Sequence, residues 1–328
     1  MRIIHFTFLL IFQLAGALIN SEQLSQPLVV YERELDRGDV LKVLIFPDRP
    51  LQELTARVLD DSGEPVVKGR GFSLGEIEGN STWCLLLGLP NYLEEQEYRL
   101  EINGSSGQAA GLPEEGFSYH GSIMVRHKTF ISEKIFLDEE LTDLRSRFDP
   151  RKREESEYLW DILTTFNGDA IFHEESFKLP LTEARRSGNY GDRRTFQYSG
   201  GSSALSYHQG IDFAVPEGTP VAACGAGRVV LARYRIITGN SIVLEHLPGL
   251  YSIYYHLSSL SVNKGDYVES GEILGNVGCS GLATGPHLHW EVRVSGVAVN
   301  PESFTYKSII DKSNIISIIR ETIEIEGR

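Results

Sequence analysis

The sequence predicts a mainly β protein with two β-rich segments and a short helical connector between them. Short apolar runs, rich in β-branched and aromatic residues and separated by turn residues, recur before about residue 121 and again after about residue 190. The stretch between them is charged and helix-prone. With 328 residues the chain is longer than the roughly 100–200 residues of one domain, so two folded units are expected.

The composition indicates a folded protein and argues against one class of partner. Hydrophobic residues make up 41% and charged residues 23% of the chain, close to the average for globular proteins. The formal net charge is -14, and binding to phosphate backbones or anionic lipid needs clustered Lys and Arg. We therefore expect no nucleic-acid partner. The three cysteines have scattered spacings and are expected to be free thiols.

The first residues predict export. Arg2 precedes an apolar run from Phe6 to Leu14, which is short for a membrane span. Ala15-Gly16-Ala17 supplies the small-x-small pattern that a signal peptidase accepts. We therefore predict a signal peptide over residues 1–17, with an uncleaved membrane anchor as the alternative. Contact with a membrane is expected only in that second case.

Residues 25–125 are predicted to form an antiparallel β-sandwich-like domain. Glycines in Asp60–Gly63 and Asn103-Gly104 stand where a turn needs a positive φ. Nothing in this domain resembles a reactive site, so a binding, spacing or purely structural role is expected. Its β-type runs are Pro27–Tyr31, Val40–Phe46, Leu54–Leu59, Trp83–Leu87 and Tyr98–Ile102.

Residues 126–180 are predicted to form the helical connector. One helix is expected from Asp138 to Phe148, where Asp149-Pro150 ends it, and a second from Arg151 to Phe166.

Residues 181–305 are predicted to form a second β domain. Gln197–Tyr207, which is rich in Ser and Gly, is expected to be a loop. The tail, residues 306–328, is rich in Ile and Glu and is expected to pack outside as a helix or a strand. The β-type runs of the domain are Val221–Ala223, Arg228–Tyr234, Ser241–His246, Tyr251–His256, Glu272–Val277 and His289–Val294.

The second β domain carries the residue types of a metal site. Asp212 follows His208 by four residues, His287 and His289 are two apart, and His256 lies between the two pairs. Zinc favours imidazole nitrogen and carboxylate oxygen, and a hydrolytic site keeps one position open for water. Side chains two apart in a strand share a face, so His287 and His289 are expected on one side of the sheet. Spacing alone allows either or both of them to bind the metal. The other five histidines are interpreted as structural.

Three motifs closely resemble the lysostaphin-type, or LytM-like, zinc endopeptidases. They are His208-Gln209-Gly210-Ile211-Asp212, Tyr255-His256-Leu257, and the run from Gly281 to Glu291 that reads GLATGPHLHWE. The resemblance extends over about Tyr190 to Phe304.

The resemblance implies a β-sheet groove that holds one zinc ion through His208, Asp212 and His289, with His256 and His287 catalytic. The implied substrates are the peptides of bacterial peptidoglycan, cut in the stem or the cross-link, and the implied location is the periplasm or cell envelope. Zinc activates water and polarises the scissile carbonyl. Our hypothesis is that His287 acts as the base and that His256 stabilises the transition state.

Two other functions are open on the sequence alone. Some members of the resembled family have lost metal ligands and act as wall-binding regulators of other hydrolases. This sequence keeps all five key residues, which favours an enzyme. A protease for folded or extracellular proteins would use the same chemistry and differ only in its loops. The sequence does not define an oligomeric state.

Overall fold

Strands predominate in the computed structural model of the chain, which describes residues 27–106 and 116–326. The prediction of a mainly β protein is therefore confirmed. The predicted signal peptide, residues 1–17, lies outside the described residues. Within the described ranges, the helices are all too short or too polar to cross a membrane.

An eight-stranded sheet forms the amino-terminal part of the protein. Its order is β1-β3-β6-β5-β4-β7-β8-β2, and its neighbours are antiparallel except for β2 and β8. The long strand β5 pairs with β4 through its first half and with β6 through its second, so both halves of the sheet share one apolar core. The strands are β1 (Leu28–Tyr31), β2 (Glu34–Asp36), β3 (Val40–Phe46), β4 (Glu53–Leu59), β5 (Pro65–Ile77), β6 (Asn80–Gly88), β7 (Gln96–Ser105) and β8 (Gly116–Arg126).

Side-chain caps set the starts of the two helices that follow. Asp138 accepts a hydrogen bond from the Leu141 backbone N–H, and Asp149 accepts one from the Arg151 N–H, with Pro150 in the first turn. The predicted stop at Asp149-Pro150 is thus the junction between the helices. The α-helices of the described residues are α1 (Glu139–Ser146), α2 (Pro150–Thr164) and α3 (Lys312–Glu326), and a short 3-10 helix spans Pro301–Phe304.

A ten-stranded sheet forms the carboxy-terminal part. Its main path is β10-β13-β20-β17-β16-β15-β18; β19 pairs with β14 and β17, and β21 pairs with β20. Its strands are β10 (Arg185–Gly188), β13 (Gly210–Ala214), β14 (Pro220–Ala222), β15 (Gly227–Arg235), β16 (Gly239–Leu247), β17 (Leu250–Leu260), β18 (Tyr267–Val268), β19 (Ile273–Val277), β20 (Leu288–Val294) and β21 (Val297–Val299).

A separate three-stranded sheet corrects two expectations. It has the order β12-β11-β9, from β9 (Ser132–Phe136), β11 (Arg193–Gln197) and β12 (Ser203–Tyr207). The expected loop over Gln197–Tyr207 is wrong for β12, which pairs with β11 as a hairpin. The connector is not helical throughout either, because β9 runs parallel to β11. The partner of β9 lies about 60 residues further along the chain, so no local pattern indicates this strand.

One apolar core joins the amino-terminal and carboxy-terminal sheets. Phe46 and Leu86 of the first sheet belong to the same buried cluster as Leu288 and Val292 of the second. At this junction the Val299 side chain packs directly against the Gly88 backbone, since a Cβ on Gly88 would stand 2.9 Å from it. Helix α3 contributes Ile315 and Ile319 to the same core, so the tail packs as a helix.

His246 lies within this core as a neutral, hydrogen-bonded ring. Its Nδ1–H donates to the Ala226 carbonyl at 2.7 Å, and its Nε2 accepts from the Ser252 hydroxyl at 2.7 Å. His173 and the Cys224 thiol are its titratable neighbours. Burial lowers the pKa of His246 to about 3. The interpretation of His246 as a structural residue agrees with these contacts.

We expect acid to destabilise the fold through His246. Between pH 6.5 and 3 the unfolded chain carries a proton on this ring that the folded chain does not, so stability is lost as pH falls through 6.5. The expected loss between pH 7 and pH 5 is about 2 kcal/mol. Urea unfolding at both pH values measures the free energy of unfolding. Its loss between pH 7 and pH 5 should be smaller in His246→Gln, whereas the exposed His120→Gln should lose as much as the unmodified chain. Equal losses in the unmodified chain and both variants would contradict this account.

Candidate metal centre

Strand pairing brings together residues that are far apart in the chain. Asp212 of β13 lies directly opposite His289 of β20, and Tyr255 of β17 lies opposite His289 on its other side. His208 precedes β13, and its backbone N–H donates to the Asp192 carbonyl at 2.8 Å. Opposite residues in antiparallel strands have Cβ atoms about 4.5–5.5 Å apart, so the register itself sets the carboxylate beside the imidazole.

The inward atoms of His208, Asp212 and His289 form a compact group of possible metal ligands. Asp212 Oδ1 lies 2.8 Å from His289 Nδ1 and 3.1 Å from His208 Nε2, and the two ring nitrogens are 2.9 Å apart. All three ligand atoms lie within 4.8 Å of one another, and all three residues are buried. Two nitrogens and one oxygen at this separation make a donor set that suits zinc.

Each of the two histidines is held from outside the group by its other ring nitrogen. His208 Nδ1–H donates to the Asn189 carbonyl at 2.8 Å, and His289 Nε2–H donates to Glu291 Oε1 at 2.9 Å. Tyr255 stacks on the His289 ring with centroids 5.5 Å apart. These contacts fix the tautomer and orientation of both rings, as outer partners do in metal sites.

The charges at the group favour a cation. Burial alone would raise the pKa of Asp212, but hydrogen bonds from His208 and His289 keep it well below its ordinary value. Burial alone would lower the pKa of His289, but Asp212 and Glu291 raise it to about 9. Without a metal, the His289 ring is therefore protonated on both nitrogens at pH 7 and lies between two carboxylates. Because a metal and a proton compete for the same nitrogen lone pair, a cation bound here would displace that proton.

His256 and His287 flank the group with one free nitrogen each. Their ring centroids are 4.7 Å apart, and His287 Nε2 lies 3.9 Å from Asp212 Oδ1. Each Nδ1–H donates to a backbone carbonyl at 2.8 Å, that of Ser280 for His256 and that of Gly285 for His287. Nε2 of each ring is left to accept a proton. Burial lowers both pKa values, to about 3 for His256, so both rings are neutral at pH 7.

The backbone at His256 is unusual. Its φ is +61°, in the left-handed region that few non-glycine residues adopt. Its N–H donates to the Thr238 carbonyl at 2.9 Å, which holds the residue in this conformation. Such outliers occur often at functional sites, where the surrounding structure fixes them.

The structure thus brings all five residues that the sequence singled out to one place, and adds others that the sequence reasoning gave no role. Glu291 was quoted only as part of a motif, although its spacing of two from His289 in a strand predicts a shared face. Tyr255 likewise stands in one of the three motifs without a role, and Arg194 lies within the stretch that resembles the family without being singled out. Arg194 Nη2 donates to Asp212 Oδ2 at 2.7 Å, a contact that no local pattern predicts.

Gly210 allows the close approach of β13 to β20, and we expect Gly210→Ala to weaken the fold. A Cβ at this position would stand 2.3 Å from the Trp290 backbone oxygen, so the strands would have to separate. The expected cost is about 1–3 kcal/mol of unfolding free energy. Gly200→Ala is the matched control, since nothing lies within 4 Å of its Cβ position. Equal melting temperatures for Gly210→Ala, Gly200→Ala and the unmodified chain would contradict this prediction.

Comparison with known proteins identifies this part of the chain. Residues 206–301 match the model of Peptidase family M23, and this segment is an M23 peptidase domain. The match spans all five residues of the site.

Curated relatives share this segment. DD-carboxypeptidase/endopeptidase Mpg of Neisseria meningitidis serogroup B is 44% identical over 96 residues, which are 29% of this chain and 22% of that protein. Peptidoglycan DD-endopeptidase ShyA of Vibrio cholerae is 34% identical over 164 residues, 49% of this chain and 37% of that protein. The chain therefore spans well under half the length of these two relatives.

A solved structure extends the likeness in fold beyond this segment. The crystal structure of a putative peptidase M23 from Pseudomonas aeruginosa matches 82% of this chain and 93% of its own, with a TM-score of 0.55 and 24% identity. At this identity the likeness concerns the fold alone. It includes part of the chain outside the M23 segment, because 82% is much more than that segment covers.

Proposed function

We propose that the chain is a zinc-dependent endopeptidase that hydrolyses peptide bonds in the stem or cross-links of bacterial peptidoglycan. The observation that carries the proposal is the buried group of His208, Asp212 and His289 within an M23 peptidase domain, with two neutral histidines beside it. Metal ligands and proton-transfer groups are the two parts with which a metal-dependent enzyme hydrolyses a peptide bond at neutral pH.

His208, Asp212 and His289 are the proposed ligands, through Nε2, Oδ1 and Nδ1. These are the atoms that face one another, while the remaining ring nitrogens are bonded elsewhere. Zinc in such a site would supply Lewis acidity, which lowers the pKa of bound water to about 7 and polarises a carbonyl. One zinc ion per chain is expected, since the described residues contain one group of this kind.

His287 and His256 are the proposed catalytic residues. His287 Nε2 is 3.9 Å from Asp212 Oδ1, so the free nitrogen stands beside the ligand group and is placed to accept the proton of the attacking water. The neighbouring His256 presents its own Nε2, and once protonated there it would donate a hydrogen bond to the negative charge that develops on the substrate or return the proton to the leaving amine. Burial lowers the pKa of both rings, so both are neutral at pH 7 and each has an unprotonated Nε2 before the reaction.

The substrate class is proposed from likeness. The relatives above are named as endopeptidases, and for ShyA the name specifies peptidoglycan. Action on the cell wall requires export, so we place the protein in the periplasm or cell envelope and retain the signal peptide over residues 1–17. A wall-binding regulator is less well supported, because a purely docking role has no need for a buried ligand group with its outer partners in place.

Purified peptidoglycan separates the two functions. We expect the zinc-loaded chain alone to release soluble fragments whose masses correspond to broken peptide bonds. An unaltered sugar backbone in the same fragments would confirm the bond type. Binding to the wall without fragments, together with faster release by an added second hydrolase, would replace this proposal with the regulator.

A further inference from the structure

The two oxygens of the Asp212 carboxylate have different partners. Its Oδ1 faces His208 and His289, whereas its Oδ2 accepts a hydrogen bond from Arg194 Nη2 at 2.7 Å. The exposed fractions of the two ion-paired side chains are 13% for Arg194 and 7% for Asp212. Because one oxygen is occupied by the guanidinium, the carboxylate presents a single oxygen to the ligand group.

Arg194 is itself held by a residue from the connector. Its Nε donates to Glu133 Oε1 at 2.5 Å, and the two residues lie opposite each other where β9 pairs in parallel with β11. A guanidinium offers several donors in a rigid plane, so it can bond two carboxylates at once. Glu133 thus orients Arg194, and Arg194 orients Asp212.

The chain leaves room for this guanidinium at Gly188. Gly188 lies opposite Asp212 where β10 pairs with β13. A Cβ there would stand 2.2 Å from Arg194 Nη2 and 2.9 Å from Asp212 Oδ2. A residue with a side chain would therefore occupy the space that the guanidinium fills. The absence of a side chain at Gly188 is thus what lets the guanidinium reach Asp212 Oδ2.

We infer that Arg194 and Glu133 are positioning residues of the metal centre, so that strand β9 of the connector is a functional part of the site. The inference rests on the proposed function, since it concerns the Asp212 ligand. Arg194 holds Asp212 in single-oxygen coordination and balances its charge, and Glu133 acts only through Arg194. Neither residue touches the substrate in this account.

The test measures the zinc affinity of the full chain by competition with a chromophoric chelator. Loss of an outer partner costs about 10- to 100-fold in metal affinity. We expect a loss in that range for Arg194→Gln and about 10-fold for Glu133→Gln. Because Glu133 acts through Arg194, the double variant should bind no more weakly than Arg194→Gln. Arg193→Gln is the matched control: it is the adjacent arginine of β11, exposed and lying against Tyr207.

A second measurement excludes a merely structural effect. The visible absorption of the Co2+-loaded chain reports the coordination of the carboxylate, and we expect it to change in Arg194→Gln but not in Arg193→Gln. Unchanged affinity and spectrum in Arg194→Gln would overturn the inference while leaving the proposed function intact. If Arg194→Gln does not fold, Glu133→Gln provides the test, because Glu133 is half-exposed. Unchanged zinc affinity in Glu133→Gln would then overturn the inference. An unmodified chain that binds no metal would overturn the inference and the proposed function together.

Discussion

Replacing His289 by alanine is expected to remove the metal and abolish hydrolysis. His289 lies between Asp212 and Glu291, at 2.8 and 2.9 Å, so its loss removes one proposed ligand and leaves two buried carboxylates without their shared partner. We expect zinc affinity to fall by more than about 100-fold, the upper end of the cost of losing an outer partner. Metal content after gel filtration and fragment release from peptidoglycan measure the two effects.

Two comparisons make this prediction specific. Asp212→Asn keeps the volume of the side chain but removes its charge, and it should also lose the metal. His120→Ala removes an exposed histidine of β8 and should leave both metal content and activity unchanged. A folded His289→Ala chain that still carries one zinc ion would show that His289 is not a ligand.

Replacing His287 by alanine is expected to stop turnover while the metal stays bound. His287 Nε2 is 3.9 Å from Asp212 Oδ1, farther than the 2.8 Å of His289 Nδ1, and its Nδ1–H is bonded to the Gly285 carbonyl. General base catalysis contributes about 10²- to 10⁴-fold. We therefore expect kcat to fall by that factor with zinc content unchanged. Paired measurements of zinc content and turnover on the same sample distinguish the two roles.

The outcome settles which histidine of the His-x-His pair binds the metal, a question that spacing alone left open. Loss of zinc in His287→Ala, to the extent expected for His289→Ala, would make His287 a ligand and contradict the proposed assignment. His256→Ala belongs in the same series, because its ring centroid is 4.7 Å from that of His287. It should keep the metal and lose turnover as well.

Much of the fold followed from local pattern. Runs such as Val40–Phe46 are strands in the structure with the expected bounds, because β-branched and large apolar residues favour a half-buried sheet. Strand β5 was not predicted, because glycines within a run argue against a strand. Gly69 and Gly71 are required by packing instead, since a Cβ on either would stand 2.4 Å from a leucine side chain.

The site was only partly predictable for a similar reason. The five residues that the sequence singled out carry recognisable residue types at recognisable spacings. Their supporting contacts depend on pairings between distant segments: Glu133 meets Arg194 through the parallel β9–β11 pair, and Gly188 meets Asp212 through a bulged antiparallel pair. The left-handed backbone of His256 is also set by its surroundings. Tertiary contacts of this kind leave no periodic signal in the sequence.

The most direct test of the central claim uses a purified, cross-linked muropeptide dimer as substrate. We expect the zinc-loaded chain to convert the dimer into smaller peptides, with a mass gain of one water for each bond broken. The reaction should stop after treatment with a chelator and return when zinc is added back. A zinc-loaded, folded chain that leaves the dimer and intact peptidoglycan unchanged, or a reaction that continues at the same rate without metal, would contradict the account.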